Sequence, residues 1–452
     1  MKEYTPDYLE YIRDIINRND VEKAKAELAE LHPADIAELY QNLEVDEAEY
    51  LYRLLDDEDA AEVLVELDDD EQQRLLEDLP AETIAKQIEY LDTDDAVDVI
   101  QQLDEEERDE VLAQIDDVEQ AGDIIDLLKY DEDTAGGLMG TEMVVVNENM
   151  SMPECIKEMR AQAEEQDEIY YVYVVDDDNK LKGIFPLQKM ITHPSVSKIK
   201  HVMETDPVSV KADTPIDEVA LDFEKYDLIA MPVVDSIGRL LGRITVDDVM
   251  DQVREASERD YQLASGLSSD VDVDDSIIAQ TKARIPWLMI GIAAGIVGSL
   301  ILGGFEAQLQ AVTALALFIP IIGGTGGNVG VQASAIIVQG LANGSLEISD
   351  FGRQIGKELL IGLLNATILS LVILVYNLIM MPEELAVTVS VAASLFTVVM
   401  FSTVLGTAVP LTLEKLNINP ALATGPFIQI SSDIVGLMIY VWVSTACLNL
   451  LT

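Results

Sequence analysis

The sequence predicts a multidomain α plus α/β membrane protein: an N-terminal α-solenoid, a pair of small α/β units, a connecting helix and a five-helix transmembrane domain. Three observations carry that reading. Leu43, Leu55, Leu67, Leu79, Leu91, Leu103, Ile115 and Leu127 recur every twelve residues. Strand-like runs at 144–146, 170–175, 231–235 and 240–245 then alternate with two helical stretches. From Ile285 to the end the chain is apolar and holds only 8 of its 84 acidic and 3 of its 28 basic residues.

The solenoid follows from the period. Four residues before each member of the leucine row stand Leu39, Leu51, Val63, Leu75, Gln87, Val99, Val111 and Asp123. Spacing of i and i+4 marks one helical face, and Tyr40, Tyr52, Leu64, Leu76, Ile88, Ile100, Leu112 and Ile124 widen it. Each unit is a helix of about nine residues and a turn, too short to bury its face alone, so the units must stack. Gln87 and Asp123 break the pattern, and the second break is expected to end the stack. The segment is expected to cover residues 1–130.

Charge bounds the function. A net charge of −56 excludes nucleic acid as a partner and attracts cations, divalent ones most. Cys155 and Cys447 lie in different halves, and His32, His193 and His201 are too scattered for a transition-metal site. The polar start MKEYTPDYLEYIRD has no apolar signal core, so the soluble half is expected in the cytoplasm.

After EDTAGGLMG (132–140) two units of about sixty residues follow, placed at 138–200 and 201–250 and built as helix–strand–turn–strand–helix. With VMETDPVSV and MPVVDSIGRLLGRITVDDVMD in the second, they resemble a tandem pair of CBS domains, regulatory modules that often bind adenine nucleotides. The resemblance implies ATP as a candidate ligand. Gly242, Thr245 and Asp248 match the ribose-contacting Gly-x-x-Thr-x-x-Asp, whereas the first unit carries Gly183, Pro186 and Lys189 there, so one half-site is supported. A folded pair without nucleotide stands beside this reading.

Residues 250–284 are read as a connector. The helix from Met250 to Leu263 is too polar to span, Gly266, Ser268 and Ser269 interrupt it, and a short helix is expected to end at Arg284. Five spans fit the need for about twenty apolar residues each: 286–304, 312–341, 355–380, 385–412 and 422–450, within a domain of residues 285–452. Lys282, Arg284, Arg353, Lys357 and Lys415 lie on one side, and Glu306, Glu383 and Glu384 on the other. The positive-inside rule puts the N-terminal half in the cytoplasm of a cell-membrane protein and the C-terminus outside.

Two motifs in the spans carry chemistry. PIIGGTGGNVGVQASA (320–335) has five glycines that helix propensity does not explain. They either let helices pack closely or unwind the backbone so that carbonyls line a cavity; Pro320, Thr325, Asn328 and Gln332 favour the cavity. In NPALATGPFIQISSDIVG, Pro426 is expected to free the carbonyl of Leu422. Asp433 stands isolated in an apolar run, and an ionisable group within a span is by default functional. No P-loop or other ATPase motif is present, and no enzyme is expected.

GGTGGNVGVQ, NPALATGPF…SSDIVG, the EDTAGGLMG join and the order of parts resemble the MgtE family of magnesium channels over essentially the whole chain. That resemblance implies a homodimer in the lipid bilayer with one Mg²⁺ pore on its two-fold axis. It places the pore carboxylate at Asp433 and nominates Asn328, Ser432, Leu422 and Gly425 as acceptors for the waters of the ion. It implies regulatory Mg²⁺ sites at Asp94, Asp98, Asp227, Asp248 and Asp251, with Glu255 and Glu258 as looser candidates, and a connecting helix that plugs the pore at high cytosolic Mg²⁺. Gln429 and Ile430 replace a threonine pair common in the family, which leaves Co²⁺ or Mn²⁺ as alternative cargo. The alternative mechanism is an ion-coupled secondary transporter, for which Glu358 is the visible second ionisable site.

Overall fold

The repeat of twelve is also a repeat of helix caps. In the computed structural model, which describes residues 5–163, 169–187, 189, 198–269, 271, 273, 276–305, 313–342, 344–346 and 351–451, ten short helices open the chain: α1 (Pro6–Asn17), α2 (Val21–Leu28), α3 (Pro33–Gln41), α4 (Val45–Tyr52), α5 (Asp57–Val65), α6 (Asp69–Glu77), α7 (Ala81–Ile88), α8 (Thr93–Gln101), α9 (Glu105–Leu112) and α10 (Val118–Leu127). The N-caps of α3 to α9 are His32, Glu44, Asp56, Asp68, Pro80, Asp92 and Asp104, each twelve after the last. Part of the acidic excess therefore satisfies helix N-termini, as when Asp104 accepts from the amides of Glu106 and Glu107. Leu39, Val63, Leu75, Val99 and Val111 are at most 1% exposed, and alternate helices pack on one another. Gln87 is tolerated in the core because the Tyr52 hydroxyl donates to its Oε1 at 3.0 Å.

The α/β pair belongs to the same compact unit, residues Met1–Val253. Strands β1 (Val144–Asn147), β2 (Tyr171–Val175), β3 (Leu181–Pro186) and β4 (Glu204–Thr205) form one sheet in that order, with α11 (Met152–Gln162) after β1. Strands β5 (Val210–Lys211), β6 (Ala230–Val234) and β7 (Leu240–Thr245) form the second, with α12 (Ile216–Tyr226) between β5 and β6. In each sheet the first pair is parallel and the next antiparallel. The sheets interlock in sequence: β4, beyond the expected boundary at residue 200, pairs with β3 of the first sheet. Gly140, before β1, exchanges two 2.9 Å backbone hydrogen bonds with Arg243 of β7.

The second unit is Arg254–Thr452. Helix α13 (Val246–Ser265) runs into it and stops at Gly266, whose φ of +86° favours glycine. Helices α14 (Ile277–Gly304), α15 (Ile319–Ala342), α16 (Phe351–Met380), α17 (Leu385–Lys415) and α18 (Gly425–Leu451) are long and apolar enough to cross a membrane. The separate helix expected to end at Arg284 is instead the first two turns of α14, which continues through Pro286. Ser268, read as an interruption of the connector, is tied to the start of α14: its amide and hydroxyl both donate to the Ala283 carbonyl at 3.0 Å.

The glycine motif packs rather than unwinds. Helix α15 is continuous through it, which overturns the expected carbonyl-lined cavity. A Cβ at Gly326 would meet Val398 at 2.8 Å, and one at Gly330 would meet Ile428 at 2.7 Å. Without a hydrophobic force between helices in lipid, such close approach is what holds spans together. The closest approach of α17 to α15 is at Gly406, where a Cβ would lie 2.2 Å from the Gly330 carbonyl oxygen. Backbone cannot step aside, so Gly406→Ala should lower the thermal midpoint of the detergent-solubilised protein by several degrees, whereas Gly295→Ala, with nothing within 4 Å, should not. Equal midpoints would show that the α15–α17 contact accommodates a methyl group. Pro426 likewise does not interrupt a span. It sits at the start of α18, where a missing amide costs nothing, and Leu422 lies in a separate 3₁₀ turn, Pro420–Ala423.

Candidate functional site

In the membrane unit the site is built by α15 and α18, which run antiparallel: Gly323 faces Asp433, Gly327 faces Gln429 and Gly330 faces Ile428 and Ser432. The Asp433 Oδ1 would lie 3.4 Å from a Cβ at Gly323, and the carboxylate is exposed on the surface of the protomer. A lone carboxylate turned outward from a span requires water, a cation or a second chain against it. Asn328 is also exposed, as are Gly324 and Gln332, one turn away on either side. Ser432, nominated with Asp433, turns the other way. It is 1% exposed, its hydroxyl has no hydrogen-bond partner among the described residues, and it lies against Gly330. One residue along a helix rotates a side chain by about 100°, so neighbours in sequence cannot share the face.

The start of α18 is occupied by the end of α13. Asn419 Nδ2 donates to Asp260 Oδ1 at 2.8 Å. A Cβ at Gly425 would meet the Ala264 carbonyl oxygen at 2.1 Å, and one at Gly266 would meet Pro426 at 2.5 Å. Gly425 is thus a docking surface for the connecting helix. Leu422 is exposed beside it.

A second candidate site lies in the first unit. Ligand oxygens of Asp92, Asp94 and Glu142 all fall within 4.8 Å of one another. Oxygens around one Mg²⁺ lie about 3 to 4 Å apart, given bonds near 2.1 Å, so this set needs little closure to hold the ion directly or through water. Its geometry comes from the caps and from one glycine. Asp92 is the N-cap of α8 but makes no side-chain capping bond, and its carboxylate instead lies 3.6 Å from Arg243. Thr93 donates to Glu142 from its amide at 3.0 Å. A Cβ at Gly140 would fall 2.9 Å from both Asp94 Oδ2 and Glu142 Oε2, so only glycine leaves this space. Burial, then the charges of Asp95, Asp248, Glu142 and Asp92, hold the Asp94 carboxyl well above the usual carboxylate range. Asp95 is pushed up to about 7, by burial first and then by Asp248, Asp92, Asp98 and Glu142. Asp248 is also raised, chiefly by burial, although it accepts from the Thr245 hydroxyl and amide.

The structure therefore gathers Asp94 and Asp248, with Asp98 among the charges acting on Asp95, and adds Asp92, Asp95 and Glu142, which the sequence reading missed. A signal for Asp92 was available: it lies in the twelve-residue cap row. Asp227 is exposed and ends α12 in the left-handed region at φ 50°; Asp251 is exposed on α13. Glu255 and Glu258 pair with Arg259 and Arg254 on their own helix, which partly neutralises their charge. Gly242 lets β7 approach Gly140, whose carbonyl a Cβ would meet at 2.5 Å. Thr245 and Asp248 bond to each other at the start of α13.

An acidic helical solenoid and an α/β pair ahead of five spans with one isolated carboxylate define an integral membrane cation transporter with a large soluble N-terminal half. Family comparison agrees part by part. Residues 319–443 match the divalent cation transporter family MgtE, residues 31–133 the MgtE intracellular N domain, and residues 135–194 and 199–255 the CBS domain. The chain is 39% identical to the magnesium transporter MgtE of Thermus thermophilus over 330 residues, 72% of each chain. It is 31% identical to that of Enterococcus faecalis over 71% of each. Among solved structures it resembles the cytosolic domain of the Mg²⁺ channel MgtE in complex with ATP, with 33% identity, a TM-score of 0.51, and coverage of 54% of this chain and 99% of that one. It also resembles the soluble part of a magnesium transporter, at 28% identity, a TM-score of 0.50, and coverage of 56% and 98%. The chain belongs to the MgtE family of magnesium transporters.

Proposed function

We propose that this protein is a Mg²⁺-selective channel of the cell membrane that works as a homodimer and is closed by cytosolic Mg²⁺. The observation that carries the pore is Asp433, exposed within the span α18 against a glycine face. Two copies across a two-fold axis supply about two negative charges, enough to balance one dication, and without a cation they repel. Mg²⁺ gives up water reluctantly, so a carboxylate with nearby acceptors can hold the hydrated ion and release it. A membrane potential negative inside contributes about 2.3 kcal/mol per charge per 100 mV, sufficient to draw the dication inward without a pump. The positive-inside arrangement puts the N-terminal half in the cytoplasm and the C-terminus outside.

The cluster of Asp92, Asp94, Asp95, Glu142 and Asp248 is the best-supported regulatory site. Burial and neighbouring charge oppose ionisation of Asp94 and Asp95, and burial opposes that of Asp248; a dication relieves that cost. The end of α13 against Gly425 supports a plug at the mouth of the pore. ATP is a second candidate ligand, supported by the Gly242, Thr245 and Asp248 half-site and by the ATP complex of the similar cytosolic domain.

A coupled transporter is the competing mechanism, favoured by Glu358, a carboxylate of α16 that is only 4% exposed. Current through the protein in planar bilayers separates the two. It should reverse at the Mg²⁺ equilibrium potential whatever the proton or Na⁺ gradient. A reversal potential that moves with either gradient would replace the channel with an exchanger.

A further inference from the structure

One polar side chain of the spans is used by nothing described so far. Gln429 lies four residues before Asp433, hence on the same face of α18 and about 6 Å lower along its axis. Its amide rests against Gly327, where a Cβ would lie 2.9 Å from Nε2 and 3.3 Å from Oε1. It is half-buried and forms no hydrogen bond among the described residues. An amide without a partner is costly in lipid, and packing alone would be served better by Leu or Met. Glycines four apart on α15, Gly323 and Gly327, thus clear space beside two polar groups four apart on α18.

We infer that Gln429 is a specificity-determining residue of the permeation path, an acceptor for the water shell of a divalent ion held at Asp433. This rests on the reading that Asp433 marks that path. Mg²⁺ keeps its first-shell waters about 2.1 Å away, and each such water reaches an acceptor about 2.8 Å further on. An ion beside Asp433 with its shell intact therefore spans the step down to the amide. An ion that sheds water binds the carboxylate directly, sits closer to it, and leaves the amide unmet. The pair consequently favours the ion that holds its shell most firmly and disfavours one that exchanges a water for a carboxylate.

The test is uptake of Mg²⁺ and Mn²⁺ into liposomes containing the full-length chain. Gln429→Met keeps the length and the packing on Gly327 but removes the amide. Gln429→Asn keeps the amide but withdraws it by one methylene. Both should raise the ratio of Mn²⁺ to Mg²⁺ uptake about three- to tenfold, the range set by losing one net hydrogen bond. Wild-type ratios in both Met and Asn variants, with Asp433→Ala inactive, would overturn the role of Gln429 alone. Retained uptake in Asp433→Ala would overturn the pore reading on which it rests. Should Met impair assembly, Asn decides by the same ratio.

Discussion

Replacing Asp433 by alanine is expected to abolish saturable Mg²⁺ uptake, a loss of at least a hundredfold in reconstituted liposomes, while the protein still purifies as a folded assembly. The side chain is exposed, and even a Cβ added at Gly323 would meet it only at van der Waals distance, so truncation opens no large cavity and the bundle should survive. What disappears is the charge that makes a dication stable in a low-dielectric span. Coulomb attraction at about 4 Å is worth roughly 4 kcal/mol at an effective dielectric of 20, and about 2.7 kcal/mol already corresponds to a hundredfold. Asp433→Asn isolates the charge, since the amide is nearly isosteric, and it should lose almost as much. Uptake at wild-type rate in either variant would move the ion path away from this residue.

Neutralising the soluble cluster should have the opposite effect. Asp94→Asn, Asp95→Asn and Asp248→Asn together are expected to leave uptake running at cytosolic Mg²⁺ at least tenfold above the concentration that closes the wild type. All three carboxyls are raised first by burial, Asp94 and Asp95 also by the charge of Asp248 and other neighbouring acids, so the unliganded fold resists their ionisation. Amides remove both the repulsion and the recruitment of a cation. The sign of the pH effect follows. A carboxyl held above its unfolded value, Asp95 at about 7 against 3.8, favours the cation-free fold at low pH, and that contribution is lost as pH rises from about 4 through about 7. Above 7 a dication takes the place of the proton. Closure by Mg²⁺ should therefore need more ion as pH falls, by up to about tenfold per unit below 7 for each proton displaced. Inhibition curves at pH 6, 7 and 8 on the cytosolic side measure this. A closing concentration indifferent to pH and to the triple substitution would make these acids surface charge.

Sequence alone determined what depends on local period. Twelve-residue spacing gave helices of eight to ten residues, and the strands at 144–146 and 240–245 appear as β1 and β7, because alternation and i, i+4 patterns report which face is buried. Asp433 was legible because one charge in an apolar run has no local explanation. What sequence could not decide was direction and company. Ser432 is adjacent to Asp433 yet buried behind it, and the glycines after Pro320 serve helix contacts with Val398, Ile428 and Gln429 rather than an opened backbone. The acidic site joins residues about fifty apart, Asp92 and Asp94 with Glu142, and residues still more distant, Asp248 and Arg243. Only tertiary structure brings these together, because their contacts are set by how the loop at Gly140 pairs with β7, a long-range hydrogen-bonded register that no local pattern encodes.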